Sequence, residues 1–264
     1  MSLLCVNTVW GSYQNYVPLY VFSVLHSYPT YHIRFIFYDD IKPKIKKCLN
    51  FLKRNGYDNF EIIKRIPVIS KNLRCDRFVL DKRYFSGFDY AWIGDIDFLH
   101  IKEEPSWLEQ EITRANEEGF PYANCVRRPP DNPKRLTGLH FIIVKPYFDI
   151  MSKIIDDYIE NPNQFKIEAW ESSDEELLYY LVKKGIGVKD LGNPARKIFS
   201  QLWHGFHIGM CRWNFDLKQE LVFKKQIKEQ ISHPIFEKIV KKLKHPLINI
   251  TFEKLKDCVS LPQT

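Results

Sequence analysis

Apolar positions in the first hundred residues follow two alternating periods. LLCVNTV (3–9) is a short, largely apolar and β-branched run of strand length and predicts a buried strand. Over 14–28, Val17, Leu19 to Phe22, Val24 and Leu25 recur at helical spacing. HIRFIFYDD (32–40) predicts a second strand that ends in acids. Residues 41–56 predict a lysine-rich amphipathic helix, stopped at Asn55-Gly56. FEIIKRI (60–66) predicts a third strand, 71–85 a third helix, and YAWIGDIDF (90–98) a fourth strand. Strands and helices in this order predict an α/β fold with a mostly parallel sheet flanked by helices.

Beyond residue 100 the rhythm changes. Helices are predicted over 105–119, 147–159 and 173–184, and strands at PYANCV (121–126) and LHFIIVKP (139–146). VRRPPDNPKRLTG (126–138) reads as a basic, proline-rich loop and GIGVKDLG as a short strand and turn. SQLWHGFHIGMCRWNF (200–215) has no clean period. From 216 the chain is helix-like, and IFEKIVKKLKHP sets Ile235, Ile239, Val240 and Leu243 opposite its lysines. Such a helix suits packing on the body of the protein or lying on an anionic bilayer. The predicted division is a main domain over 1–215 and a basic helical extension over 216–264.

Composition adds bounds. Of 264 residues, 45% are hydrophobic and 15% aromatic, enough for the core of one large domain. The net charge is +7, and ten lysines against six acids over 216–259 supply more than half of it. That balance suits an anionic ligand or surface. No nucleic-acid motif accompanies it, so nucleic acid is not an expected partner. The cysteines at 5, 48, 75, 125, 211 and 258 form no CxxC pair and no cluster with histidine. This disfavours a zinc site and a disulfide framework and points to a reducing compartment. MSLLCVNTVWGS lacks the basic and apolar regions of a secretory signal, and no apolar run approaches about 18 residues. The expected location is cytoplasmic, with peripheral contact at the inner face of the membrane as an option.

The candidate chemistry centres on GDIDF. Asp95 and Asp97 stand one residue apart in an apolar run, and strand alternation would put both on one face. Two close carboxylates are unfavourable unless neutralised. A divalent cation such as Mg²⁺ or Mn²⁺ does this, and ligand phosphates commonly complete its shell. The position also fits, because open α/β sheets bind ligands at the carboxyl ends of their strands. The plainer alternatives are a solvated strand end or an ion pair with Arg74 or Arg77.

Taken in order, several segments resemble GT-A fold glycosyltransferases, in particular the glycogenin-like and lipopolysaccharide galactosyltransferase-like families. The first strand, Asn15-Tyr16, the helix with Ser23-Val24-Leu25, and YPTYHIRFIFYDD resemble their opening nucleotide-binding unit. RCDRFVL resembles their helical segment ending in an arginine, ahead of the strand with the metal motif, here GDIDF. TGLHFIIVKP resembles their glycine-containing strand on the acceptor side. SDEELLYYLVKKG resembles their D-Q-D segment with its apolar helix, and LWHG a late histidine motif. The resemblance covers about residues 7–215, and the order and spacing of the motifs carry it.

The resemblance implies a metal-dependent transferase. It would move a hexose from a nucleotide sugar, first of all a UDP-sugar, to a hydroxyl of a surface glycan or lipid-linked oligosaccharide, with retention at the anomeric carbon. It implies Mn²⁺ or Mg²⁺ on Asp95 and Asp97, with His204 or His207 as third ligand; imidazole favours Mn²⁺. His204 is preferred, because LWHG places it just after an apolar pair, as a strand-end ligand would be. Asn7 and Thr8 fall where those families hold base and ribose. Tyr13 or Tyr16 would stack on uracil, unless both pack in the core. Arg77 matches a family arginine near the diphosphate or donor sugar, where a guanidinium fork suits phosphate, and Arg74 is a second candidate. Asp174 and Glu175 would contact the sugar or stabilise an oxocarbenium-like centre. The run Ser172-Ser173-Asp174-Glu175 is equally good helix-capping chemistry.

Two departures stand out. The middle amide of D-Q-D is Glu175 in Asp174-Glu175-Glu176. The lysine-proline-tryptophan ending of the late motif is absent from HGFHIGMCRW, where Arg212 is the candidate to replace the lysine. Arg127, Arg128, Lys134 and Arg135 either meet an anionic acceptor or only solvate their loop. Two other classes compete. A sugar-phosphate nucleotidyltransferase should carry a glycine-rich, lysine-bearing loop, but NTVWGSYQN has one glycine and no lysine. A non-catalytic nucleotide-sugar or membrane-surface binding protein is disfavoured by the intact Asp95 and Asp97.

Overall fold

The computed structural model describes residues 1–69, 72–127, 135–162, 173–188, 204–209 and 224–260. Its centre is β1 (Leu4–Val9), buried at every position. Parallel β2 (His32–Phe37) and β4 (Tyr90–Ile93) flank it, pairing Leu4 with His32 and with Ala91. A strand covered on both faces has no polar side to show, which is why LLCVNTV lacks the apolar–polar alternation of a half-exposed strand. Parallel β3 (Phe60–Lys64) extends the sheet beyond β2. On the other side β9 (His140–Ile143) runs antiparallel to β4, and β6 (Tyr122–Ala123) antiparallel to β9. The order is β3-β2-β1-β4-β9-β6, a mixed and mostly parallel α/β sheet, and β7 (Val126–Arg127) and β8 (Arg135–Leu136) pair antiparallel apart from it.

Helices cover both faces. α1 (Val17–Ser27) is buried at all but one of its positions, and α2 (Pro43–Lys53) buries Ile45, Cys48, Leu49 and Leu52 at helical spacing. On the far side of the chain, α5 (Val144–Glu160) packs with α6 (Asp174–Gly185) in a second core cluster. α4 (Trp107–Glu118) starts with a capping box between Ser106 and Glu109.

Two predicted elements break. The helix expected over 71–85 is only α3 (Leu73–Asp76) followed by 3-10 turns at Arg77–Val79 and Lys82–Phe85. Asp81 interrupts it by accepting a bond from the Arg83 amide at 2.8 Å, a local turn that outcompetes the helix. The strand expected over 90–98 ends at Ile93. Phe98 then opens β5 (Phe98–His100), which leaves the main sheet and pairs antiparallel with β10 (Gly205–His207). Gly94 marks the break: a Cβ there would lie 2.5 Å from the Trp92 indole nitrogen. Asp95 and Asp97 therefore do not alternate along one strand. They sit in the connection from β4 to β5.

The C-terminal part forms three helices, α7 (Lys224–Ile231), α8 (Pro234–Leu243) and α9 (Pro246–Ser260). Phe236, Ile239 and Leu243 of α8 belong to the same buried cluster as β1 and α1, with Ile235 and Val240 packed against it. The Phe236 ring lies 5.4 Å from Phe22 of α1, and Lys44 of α2 donates to the Leu243 carbonyl at 3.4 Å. The apolar stripe that suited a bilayer is thus covered by the body of the protein, which corrects the membrane-lying alternative. No helix among the described residues is long and apolar enough to cross a membrane. The predicted boundary at 215, the basic residues Arg128 and Lys134, the second half of GIGVKDLG (189–192), and Arg212 lie outside the described residues.

Candidate active site

A cavity of about 420 Å³ opens at the carboxyl ends of β1 and β4. Thr8, Trp10 and Tyr13 form one wall. Asp95, Ile96 and Asp97 form the floor, and Arg74, Arg77, Arg135, Ser173, Asp174, Glu175 and His207 the other sides.

Arg77 is delivered by a braced turn. Its neighbour Asp76 is fully buried and accepts from the amides of Val68 (2.6 Å) and Ile69 (2.8 Å) and from the Tyr38 hydroxyl (2.5 Å); Arg65 pairs with it as well. Arg77 then enters the site. Nη1 donates to Asp95 Oδ1 at 2.6 Å and to the Gly94 carbonyl at 3.1 Å, and Nη2 donates to Asp174 Oδ2 at 2.6 Å. Burial works against this guanidinium, and the two carboxylates outweigh it, so it is held charged more firmly than an ordinary arginine. Gly138 makes room: a Cβ there would lie 2.6 Å from Nη2.

Asp97 is buried and turns the other way. Its Oδ1 accepts from His207 Nε2 at 3.1 Å, and its carbonyl accepts from the Ile208 amide at 2.8 Å. The antiparallel ladder creates this meeting by setting His207 opposite Phe98, whose ring stacks on the imidazole at 5.5 Å.

His204, the preferred third ligand, is elsewhere. Its Nδ1 lies 2.5 Å from Glu103 Oε2 and its Nε2 3.0 Å from Glu111 Oε1. Burial disfavours its charge, but the two carboxylates prevail and raise its pKa above the usual histidine value. The apolar pair before it marked a buried residue rather than a strand-end ligand. His207 is the histidine beside Asp97.

The N-terminus of α6 carries both expected acids. Ser173 caps the helix with Glu176 in a capping box, so the capping reading of this run holds too. Asp174 is tied to Arg77. Glu175 accepts from the Gly138 amide at 3.2 Å and lies 3.4 Å from Arg135 Nε.

At the end of β1, Thr8 and Tyr13 line the cavity, while Asn7 and Tyr16 do not. Asn7 is fully buried and donates to the Gly94 carbonyl at 3.1 Å, pinning the turn that carries Asp95. Tyr16 packs in the core. Trp10, which the sequence reading did not single out, adds a ring 5.2 Å from Tyr13 and 6.2 Å from Tyr38. Its signal was available: a tryptophan directly after the central strand stands at the ligand-binding edge. Asp39, one of the two acids after β2, closes this corner by accepting from the Gly11 amide (2.6 Å) and from Gln14 (2.7 Å).

Among the described residues, no three ligating side chains stand together as an assembled metal site. Arg77 draws Asp95 aside, and Asp97 and His207 form a pair. The donor chemistry of that pair fits a divalent ion. Adjacent ligands on an ion with bonds of about 2.1 Å lie about 3 Å apart, close to the Asp97–His207 separation.

No protein-family model matches the chain, and no curated protein matches it in sequence. Solved structures do. The chain is similar to galactosyltransferase LgtC in complex with donor and acceptor sugar analogs, at 18% identity over 70% of this chain and 72% of that one (TM-score 0.45). It is similar to an active-site mutant of LgtC at 19% identity over 71% of each chain (TM-score 0.46). It is also similar to the apo-form glycosyltransferase GlyE of Streptococcus pneumoniae TIGR4, at 12% identity over 98% of this chain and 64% of that one (TM-score 0.47). At these values the likeness assigns no residue and no activity. The architecture is an α/β fold with a mixed, mostly parallel sheet flanked by helices.

Proposed function

We propose that the protein is a metal-dependent glycosyltransferase that moves a hexose from a nucleotide sugar, with a UDP-sugar as the leading donor, to an acceptor hydroxyl on a surface glycan or lipid-linked oligosaccharide. One observation carries this reading: Arg77 joins Asp95 to Asp174 in the cavity where Asp97 faces His207.

The charges support it. Asp95, Asp97, Asp174 and Glu175 line the cavity against Arg74, Arg77 and Arg135. Four carboxylates against three guanidiniums repel a bare diphosphate, and one divalent cation reverses that balance. Asp97 and His207, with Asp95, would hold Mn²⁺ or Mg²⁺. Once bound, the ion supplies charge neutralisation at the diphosphate leaving group.

The chain's own residues do the rest. Arg77 fixes the Asp95 and Asp174 carboxylates, and Arg135 with the Gly138 amide fixes Glu175. Anchored in this way, Asp174 and Glu175 suit the positive character that develops at the anomeric carbon. Trp10 and Tyr13 offer aromatic faces to a base. The turn after β1, Gly11–Tyr16, is a short 3-10 segment without lysine, unlike the phosphate loop a nucleotidyltransferase needs.

The test incubates the protein with a panel of nucleotide sugars and Mn²⁺ and follows nucleoside diphosphate release by ³¹P NMR. Release from at least one donor, lost in Asp97→Asn, supports the reading. No release from any donor, together with no metal-dependent nucleotide binding, overturns it.

A further inference from the structure

β10 enters the site from an unusual turn. His204 has a φ of 64°, in the left-handed region that a non-glycine residue seldom adopts. Gly205 follows, and a Cβ there would lie 2.1 Å from the Leu99 carbonyl oxygen. The chain thus approaches β5 too closely for a side chain directly after His204.

The His204 ring is fixed on every side. An ionised carboxylate only accepts hydrogen bonds, so Glu103 on Nδ1 and Glu111 on Nε2 match a ring with two N–H donors. Trp107 stacks with two histidines, its ring 5.3 Å from His204 and 4.3 Å from His100. Trp92 meets His204 edge-on at 5.6 Å. The backbone is held as well: the His204 carbonyl accepts from the Ile101 amide and from His100 Nδ1, both at 3.1 Å. An apolar side chain would fill the space between two tryptophans without burying a charge. The ion pairs add direction to the packing.

Three residues further on, His207 donates to Asp97. The ladder between them has only three paired positions, from Gly205–His100 to His207–Phe98. We propose that His204 is a positioning residue: clamped between Glu103 and Glu111 at the root of β10, it fixes the path of the strand so that His207 meets Asp97. The inference rests on the transferase reading, in which Asp97 and His207 hold the ion.

The test compares the wild type with His204→Gln, Glu103→Gln and His207→Ala. Mn²⁺ binding is followed by electron paramagnetic resonance with UDP present. The His207 Nε2–H signal is followed by NMR of ¹⁵N-histidine-labelled protein without metal or nucleotide. In His204→Gln, Mn²⁺ affinity falls about tenfold or more, the His207 signal is lost to exchange, and near-ultraviolet circular dichroism stays that of the wild type. Glu103→Gln keeps an acceptor on the ring; it gives a smaller loss of the same kind and carries the test if His204→Gln does not fold. An unchanged His207 signal in the folded variants overturns the proposal, whatever the Mn²⁺ affinity does. If Mn²⁺ binds wild type and His207→Ala equally, the metal reading fails, and the His207 signal alone decides on His204.

Discussion

Arg77 and Asp174 stand 97 positions apart in the sequence, yet Nη2 of one lies 2.6 Å from Oδ2 of the other. The same guanidinium reaches Asp95 through Nη1 at 2.6 Å. One cation therefore ties the turn after β4 to the N-terminus of α6. Arg77→Ala leaves two carboxylates facing each other without it. Breaking such a pair costs about 3 kcal/mol, the low end of the usual range, because the Asp95 side chain is 34% exposed. Arg77→Lys, with a point charge in place of a fork, recovers less than half of the loss. Urea unfolding at neutral pH measures both.

Gly138→Ala should act through Arg77. The added methyl would lie 2.6 Å from Nη2, and that nitrogen is pinned by Asp174. The substitution is expected to cost about 1–2 kcal/mol in the wild type and close to nothing in Arg77→Ala. A double-mutant cycle in urea checks the coupling; equal costs in both backgrounds contradict the close approach.

His100 and His140 set an acid limit. Burial pushes each down to about 3, with the His204 charge adding to the effect at His100. A histidine that is neutral when folded and ordinary when unfolded contributes stability above the unfolded value of about 6.5. That contribution is lost as pH falls from about 6.5 toward 3. His204 runs the other way: its raised pKa stabilises below about 6.5, and the contribution is lost as pH rises through the folded value. His140→Gln is therefore expected to flatten the fall in stability between pH 6.5 and 4.5. In contrast, the gap between wild type and His204→Gln narrows as pH rises. Urea midpoints across pH 4.5 to 9 give both slopes.

Phe236→Ala tests the C-terminal helices. The ring is fully buried between Phe22 of α1 and Phe252 of α9. Its removal is expected to cost about 3–5 kcal/mol in global stability. A loss confined to the C-terminal helices in hydrogen exchange, with the sheet unaffected, contradicts a shared core.

The fold was legible where one physical rule dominated. LLCVNTV read as a buried strand because burial on both faces leaves no polar alternation, and the β/α order implied the parallel sheet. GDIDF could be singled out by its residue types, but its geometry was not legible. The strand stops at Ile93 and the chain crosses to a second ladder with β10, a long-range pairing that no local pattern encodes. The histidine choice failed for a related reason. An apolar pair before His204 signals burial as readily as a strand end, and a left-handed backbone residue turned the ring inward. The alternation from Gly205 to His207 was the better guide, since the register against β5 sets His207 at Asp97. The Arg77 bridge to Asp174 depends on long-range packing that no segment contains by itself.

The central claim is a nucleotide-diphosphate site completed by a divalent ion on Asp97 and His207. Isothermal titration of UDP into the wild type, with Mn²⁺ and then with chelator, tests it most directly. The account predicts saturable binding with Mn²⁺, none with chelator, and loss of the metal-dependent heat in Asp97→Asn. Binding of the same strength in chelator, or Mn²⁺-dependent binding unchanged in Asp97→Asn, would contradict it.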